Sequence, residues 1–166
     1  MFINVGTECP LSCNMCPGIC GDGIYDWDET GANCPEDVPG CDLSDKHISI
    51  SADGLVLFNS SLIIGGFQFY LEGAVADSSS GGEAGSAGLA VSTNSESGKV
   101  LGFSISGATI PPGCGILTKL LDMTGTPTGI FDDFIDGTNK EIVVSDADGL
   151  DLDFSYDPSY IDQMLS

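Results

Sequence analysis

From residue 47 onward the apolar positions fall into short runs separated by Gly, Asp, Asn and Ser. His47-Ile-Ser-Ile-Ser-Ala and Leu55-Val-Leu-Phe58, parted by Asp53-Gly54, predict two strands joined by a tight hairpin turn. Phe67, Phe69 and Leu71 alternate with Gln68, Tyr70 and Glu72, the period-two signature of a half-buried strand. Gly88-Leu-Ala-Val-Ser-Thr and Lys99-Val-Leu-Gly-Phe-Ser-Ile-Ser predict a second strand pair, with a turn from Asn94 to Gly98. Ile110-Pro-Pro-Gly-Cys-Gly-Ile-Leu117 predicts a sharp turn entering a new strand, and Glu141-Ile-Val-Val-Ser predicts another. Residues 77–88, DSSSGGEAGSAG, predict a small polar loop, and Thr124 to Gly129 and Asp132 to Gly137 predict further loops. Leu150, Leu152 and Phe154 alternate with Asp151 and Asp153, as in an edge strand guarded by charge. The tail Tyr160-Ile-Asp-Gln-Met-Leu predicts a short helix or a segment that docks on another chain.

Composition sharpens this picture. The 166 residues hold one ordinary domain plus a small appendage, and 23 glycines with recurrent Ser, Thr, Val and Ile favour strands and turns over helices. Asp and Glu total 25 against four lysines (Lys46, Lys99, Lys119 and Lys140) and no arginine, a net charge of −21. Such a chain repels nucleic acid and anionic membrane, and it repels copies of itself unless cations intervene. No segment is long and apolar enough to predict a membrane span.

Six of the seven cysteines (Cys9, Cys13, Cys16, Cys20, Cys34 and Cys41) precede residue 42, in a stretch with little apolar material. That density predicts a disulfide framework formed outside the cytosol. Three fates are open to the seventh, Cys114: a buried thiol, a bond to one of the six, or release of one of them for a bond to another chain. The run INVGTECPLSCNMC resembles the CxxxCxxC cluster-binding motif of radical SAM enzymes. That resemblance implies an iron–sulfur cluster on a partial α/β barrel, but no repeating strand–helix units follow, so disulfides are the preferred reading, over zinc as well. Met1-Phe-Ile-Asn is not a secretory leader, so either one was removed or the chain is part of a longer polypeptide.

Within this region, Asp26-Trp-Asp28-Glu-Thr30-Gly31, five residues and Asp37 reproduce the spacing of an EF-hand-type calcium loop. Calcium takes six to eight hard oxygen ligands, about as many as this loop can converge on one point. Asp26 and Asp28 offer carboxylates, Thr30 a hydroxyl, Ala32 its backbone carbonyl, and Asp37 the closing carboxylate, with Gly31 at the sharp turn. Asp37 stands where Glu is usual, and Pro35 argues against a following helix. The prediction is a lone calcium loop bracketed by Cys20, Cys34 and Cys41.

Residues 45–156 carry a second resemblance. GGFQFYLEGA, GLAVST, KVLGFSISGATIPPGCGILTKL and IVVSDADG, in that order, resemble a cohesin module. This implies a jelly-roll β-sandwich of cell-surface and cellulosome architecture, with dockerin as a partner and no catalytic residues to carry over. The expected fold class is all-β, an Ig-like or jelly-roll sandwich over residues 43–166, behind a disulfide-rich calcium-binding head over residues 1–42.

Other candidate chemistry is sparse. His47 is the only histidine, which removes Ser–His and Cys–His catalysis. Carboxylates abound, but a sugar-cleaving cleft lacks its usual Arg, His and Trp here, and Trp27 is the only tryptophan. The chain therefore reads as non-enzymatic. Asp136, Asp146 and Asp148 are candidates for a second cation site, ranked below the edge-strand reading because EF spacing is absent. Asn59-Ser-Ser61 is a glycosylation sequon in an expected loop. Phe67, Phe69 and Tyr70 are candidates for an aromatic glycan- or dockerin-binding strip, with core packing preferred for both phenylalanines. The expected role is a structural subunit or repeat of an extracellular cell-surface assembly or fibre, held by calcium and disulfides. The alternative is a recognition module for a dockerin or carbohydrate.

Overall fold

The structure, a computed structural model, describes residues 38–131 and 141–163. The expected hairpin is present as β1 (His47–Ile50) and β2 (Leu55–Ser60), paired antiparallel from His47↔Asn59 to Ile50↔Val56. Its turn is closed by buried Ser51, whose Oγ donates to Asp53 Oδ1 at 2.5 Å and accepts from the Leu55 amide at 3.0 Å. β3 (Gly66–Ser80), β4 (Ala90–Asn94), β5 (Lys99–Phe103), β6 (Gly113–Ile130), β7 (Val143–Ser145) and β8 (Ser155–Tyr156) complete the strands. The order is β4-β5-β3-β6-β2-β1-β8, with β7 also on β3. The described residues are thus mostly β, as composition predicts.

The sheet curls because β3 changes partners along its length. Residues 66–68 pair with β7 and residues 67–70 with β5, while residues 71–80 pair with β6. The register breaks between Glu72 and Ala74, where Gly73 adopts φ 81 and Gly125 of β6 adopts φ 87. Both are conformations that glycine reaches without a Cβ penalty. The buried positions are Phe67, Phe69 and Leu71 before this bulge, and Ala74 and Ala76 after it. Gly73 stands opposite three residues of β6, Thr126 to Thr128, and across it the inward parity of β3 shifts by one, which a strict period-two reading cannot follow.

The same bulge corrects the expected loop at Thr124 to Gly129. These residues belong to β6, whose partners skip from Gly129 to Gly125, so Pro127 has no ladder bond to donate. The polar loop expected over residues 77–88 is likewise absent as such. Residues 77–80 extend β3, and Gly82–Ala87 form a short helix, α1. α1 buries Ala84 and ends at Gly88, with Gly88 N–H donating to Gly85 O at 3.2 Å and Leu89 N–H to Ala84 O at 2.9 Å. Burial of one alanine and this glycine closure outweigh the weak helix propensity of a Gly/Ser-rich stretch.

Residues 146–152 also depart from expectation. They form a tight turn back onto β7, with Asp146 N–H donating to Leu150 O at 2.9 Å and Leu152 N–H to Val144 O at 2.7 Å. Leu150 is consequently exposed, and only Phe154 of the expected inward face is buried. The tail forms a single 3-10 turn, Pro158–Tyr160, with Asp157 Oδ1 accepting from Ser159 N at 2.8 Å.

The main core lies inside the curl, where Ile48, Ile50, Val56, Phe58, Phe69 and Leu117 are buried together. A second, smaller core lies on the opposite side of β2 and joins Leu43, Leu55, Leu57 and Tyr160, with Ile116 packed against them.

Candidate functional site

The continuous apolar run Leu55-Val-Leu-Phe58 must be covered on both faces, unlike an alternating strand. Val56 and Phe58 face the main core; Leu55 and Leu57 need a second cover. Residues 38–43 and Tyr160 provide it. Val38 and Leu43 are buried, and the chain lies close enough to the sheet that a Cβ on Gly40 would meet Gly115 O at 2.8 Å. Gly40 takes φ 97, so glycine is required there for conformation as well as for space.

This cover is held by five bonds, one covalent and four hydrogen bonds. Cys41 forms a disulfide with Cys114, at the start of β6. The Tyr160 hydroxyl accepts from the Gly40 amide at 3.1 Å and donates to the Asp42 carboxylate in a short hydrogen bond. Asn59 Nδ2 donates to Leu43 O at 2.6 Å. The Leu43 amide closes a turn onto Gly40 O at 3.1 Å. Burial, and then the bond to Asp42, pushes the Tyr160 hydroxyl up to about 12. It therefore stays a donor throughout the physiological range.

The disulfide resolves the three fates open to Cys114: it reaches an N-terminal cysteine, and the partner is Cys41. Cys41 is thereby committed to the β body. Cys9, Cys13, Cys16, Cys20 and Cys34 lie outside the described residues, as do the calcium-loop residues Asp26, Asp28, Thr30, Ala32 and Asp37. The last of these immediately precedes buried Val38, so any loop closing at Asp37 joins a fixed point on the sheet.

The remaining candidates are dispersed. Asn59 lies in β2 and not in a loop, with its side-chain amide bonded to Leu43 O. Asp136 is outside the described residues. Asp146 Oδ1 accepts from the amides of Asp148 at 2.9 Å and Leu150 at 3.0 Å, so this oxygen closes the turn. Among the described residues no three His, Cys, Asp or Glu side chains converge as a metal site. Phe67 and Phe69 are buried, with ring centroids 6.1 Å apart, so neither belongs to an exposed aromatic strip; Tyr70 is half-buried. His47 sits in β1, its Nδ1 3.0 Å from Asp45 O. Asp45 itself accepts from Ser61 Oγ at 2.7 Å and Ser61 N at 2.6 Å, and these bonds hold its carboxyl below the usual range.

Sequence reasoning missed Tyr160 and Asp42 as parts of this site. The available signal was the unbroken Leu55–Phe58 run, which announces two-sided burial without naming the cover. Among the described residues no helix is long and apolar enough to cross a membrane. No family model, no curated protein and no solved structure matches the chain.

Proposed function

We propose that this chain is an architectural, non-enzymatic subunit of an extracellular cell-surface assembly or fibre. The observation that carries this reading is the Cys41–Cys114 disulfide, which ties the end of the cysteine-rich segment across 73 residues of sequence to β6. Disulfides of this kind persist in oxidising compartments, and they suit a part that bears load outside the cell. In this reading the β body is a rigid brick, a jelly-roll sandwich of the cohesin-like kind. The head over residues 1–42 holds calcium through Asp26, Asp28, Thr30, the Ala32 carbonyl and Asp37. Because Asp37 leads directly into the stapled segment, calcium binding there is coupled to the stability of the sheet. Bound calcium also offsets part of the −21 charge when bricks approach each other.

The test is particle size and thermal stability with and without a chelator, under non-reducing conditions. At free calcium about 100-fold above Kd, binding to the folded state alone contributes about 2.7 kcal/mol. For a chain of this size that corresponds to roughly 5–11 °C in Tm. Chelation should lower Tm by that order and break up assemblies, and D28A should reproduce the loss. A monomer indifferent to chelator would refute the calcium-stabilised assembly. The preparation should be colourless; a brown anaerobic preparation would assign Cys9, Cys13 and Cys16 to an iron–sulfur cluster instead.

A further inference from the structure

Two turns of this fold repeat one sequence. Ala52-Asp53-Gly54-Leu55 closes the first hairpin, and Ala147-Asp148-Gly149-Leu150 closes the turn back onto β7. Their local geometry also matches. The Ser51 amide donates to Leu55 O at 2.9 Å and the Gly54 amide to Ser51 O at 3.1 Å; the Asp146 amide donates to Leu150 O at 2.9 Å and the Gly149 amide to Asp146 O at 3.1 Å. Ser51 Oγ accepts from the Leu55 amide at 3.0 Å, and Asp146 Oδ1 accepts from the Leu150 amide at 3.0 Å. Gly54 and Gly149 both take a left-handed φ, 95 and 85, as glycine does after such a turn.

Their surroundings separate them. Gly54 is buried: a Cβ there would meet Leu120 O and the Met123 methyl at 3.0 Å, and Gly54 O accepts from the Leu120 amide at 2.9 Å. Asp53 Oδ1 is held by Ser51 Oγ at 2.5 Å. Asp148 and Gly149 are exposed, a Cβ on Gly149 would meet nothing within 4 Å, and among the described residues nothing donates a hydrogen bond to the Asp148 carboxylate. The first turn opens only by leaving β6, whereas the second opens by breaking its own few bonds.

We propose that Asp148 is a modification site, where the folded chain converts aspartate to isoaspartate through a succinimide with the Gly149 nitrogen, while the matching Asp53 is protected. Glycine has no side chain to shield its nitrogen, so an Asp-Gly pair holds nucleophile and electrophile side by side. The Gly149 nitrogen attacks Asp148 Cγ as the turn opens. A bond forms between N and Cγ, the Cγ–OH bond breaks, and the amide proton and the hydroxyl leave as water. Water then opens the ring. Cleavage at Cγ restores aspartate; cleavage at the main-chain carbonyl leaves the chain running through Cβ and Cγ, with the carboxylate on Cα. The sum of the steps adds and removes no atoms, consumes no oxidant or reductant, and does not depend on what the chain assembles with. The extra main-chain methylene no longer fits the turn, so the bond from the Leu152 amide to Val144 O, 2.7 Å in this structure, loosens.

The experiment is a warm incubation of the full chain, disulfides intact, in heavy-oxygen water, folded and in urea. Peptides containing Asp53 and Asp148 are then scored for isoaspartate by electron-transfer fragmentation and for one heavy oxygen gained per ring opening. In urea the two sites share the sequence Ala-Asp-Gly-Leu and should react at similar rates. In the folded chain Asp53 should be slower than Asp148 by at least about tenfold, the factor equivalent to about 1.4 kcal/mol of extra opening cost. D148E cannot form the five-membered ring and should abolish the modification there without changing Asp53. Hydrogen exchange on the isolated isoaspartate form should show reduced protection at Leu152 and none lost in the β1–β2 ladder. Equal folded rates at the two sites, or an Asp148 that reacts in urea but not in the folded chain, would overturn the assignment. Unchanged protection at Leu152 would overturn the loosening.

Discussion

Removing the Cys41–Cys114 disulfide tests the staple quantitatively. The bond closes a loop with a sequence separation of 73, and opening it restores conformational freedom to the unfolded chain. The chain-entropy relation puts that effect at about 4 kcal/mol for a loop of this length. In a chain of this size, a loss of about 4 kcal/mol lowers Tm by roughly 8–16 °C. The perturbation is the double variant C41A/C114A, so that neither sulfur is left to pair elsewhere. Urea unfolding followed by circular dichroism gives the free energy, and the m value should rise because the uncrosslinked unfolded chain exposes more surface. Hydrogen exchange adds a local readout. The Gly40 and Leu43 amides, bonded to Tyr160 Oη and Gly40 O, should lose protection before the β1–β2 ladder does. A loss below about 1 kcal/mol, with Gly40 and Leu43 still protected, would refute the reasoning. It would mean that burial of Val38, Leu43 and Tyr160 holds the cover without the sulfur bond.

Three further outcomes are expected. Because the Tyr160 hydroxyl titrates near 12 folded and near 10 unfolded, its contribution is complete below pH 10 and declines as pH rises through that window. Y160F should lose about 1–2 kcal/mol at neutral pH and show a shallower alkaline decline in urea midpoint, the remainder coming from Tyr156, whose hydroxyl burial also raises; an unchanged alkaline slope would refute this. In G102A the new Cβ would sit 2.2 Å from the Phe67 ring, an overpacking cost of about 1–3 kcal/mol that F67L in the same chain should partly relieve. F69A empties a fully buried position and should cost about 3–5 kcal/mol by urea unfolding; a loss under about 1 kcal/mol would place Phe69 outside the core.

Wherever a local rule was sufficient, the sequence determined the outcome. Alternation at Phe67, Phe69 and Leu71 set the inward face of β3, and Asp53-Gly54 between two apolar runs set the first hairpin. The Asn94–Gly98 turn and the entry to β6 after Pro112 were legible for the same reason, since turn chemistry acts over four or five residues. The candidate site was legible only in part. The cysteine count showed that Cys114 had three possible fates, but which cysteine it meets depends on residues separated by 73 positions arriving at one place. The bulge at Gly73 and Gly125 reversed the inward parity and kept Pro127 inside a strand, because two glycines on different strands meet there. Leu55 and Leu57 required a cover that periodicity could not name; Tyr160 supplies it from the far end of the chain. Local chemistry fixes which residues turn and which alternate, while the meeting of distant faces decides what covers them and what remains exposed.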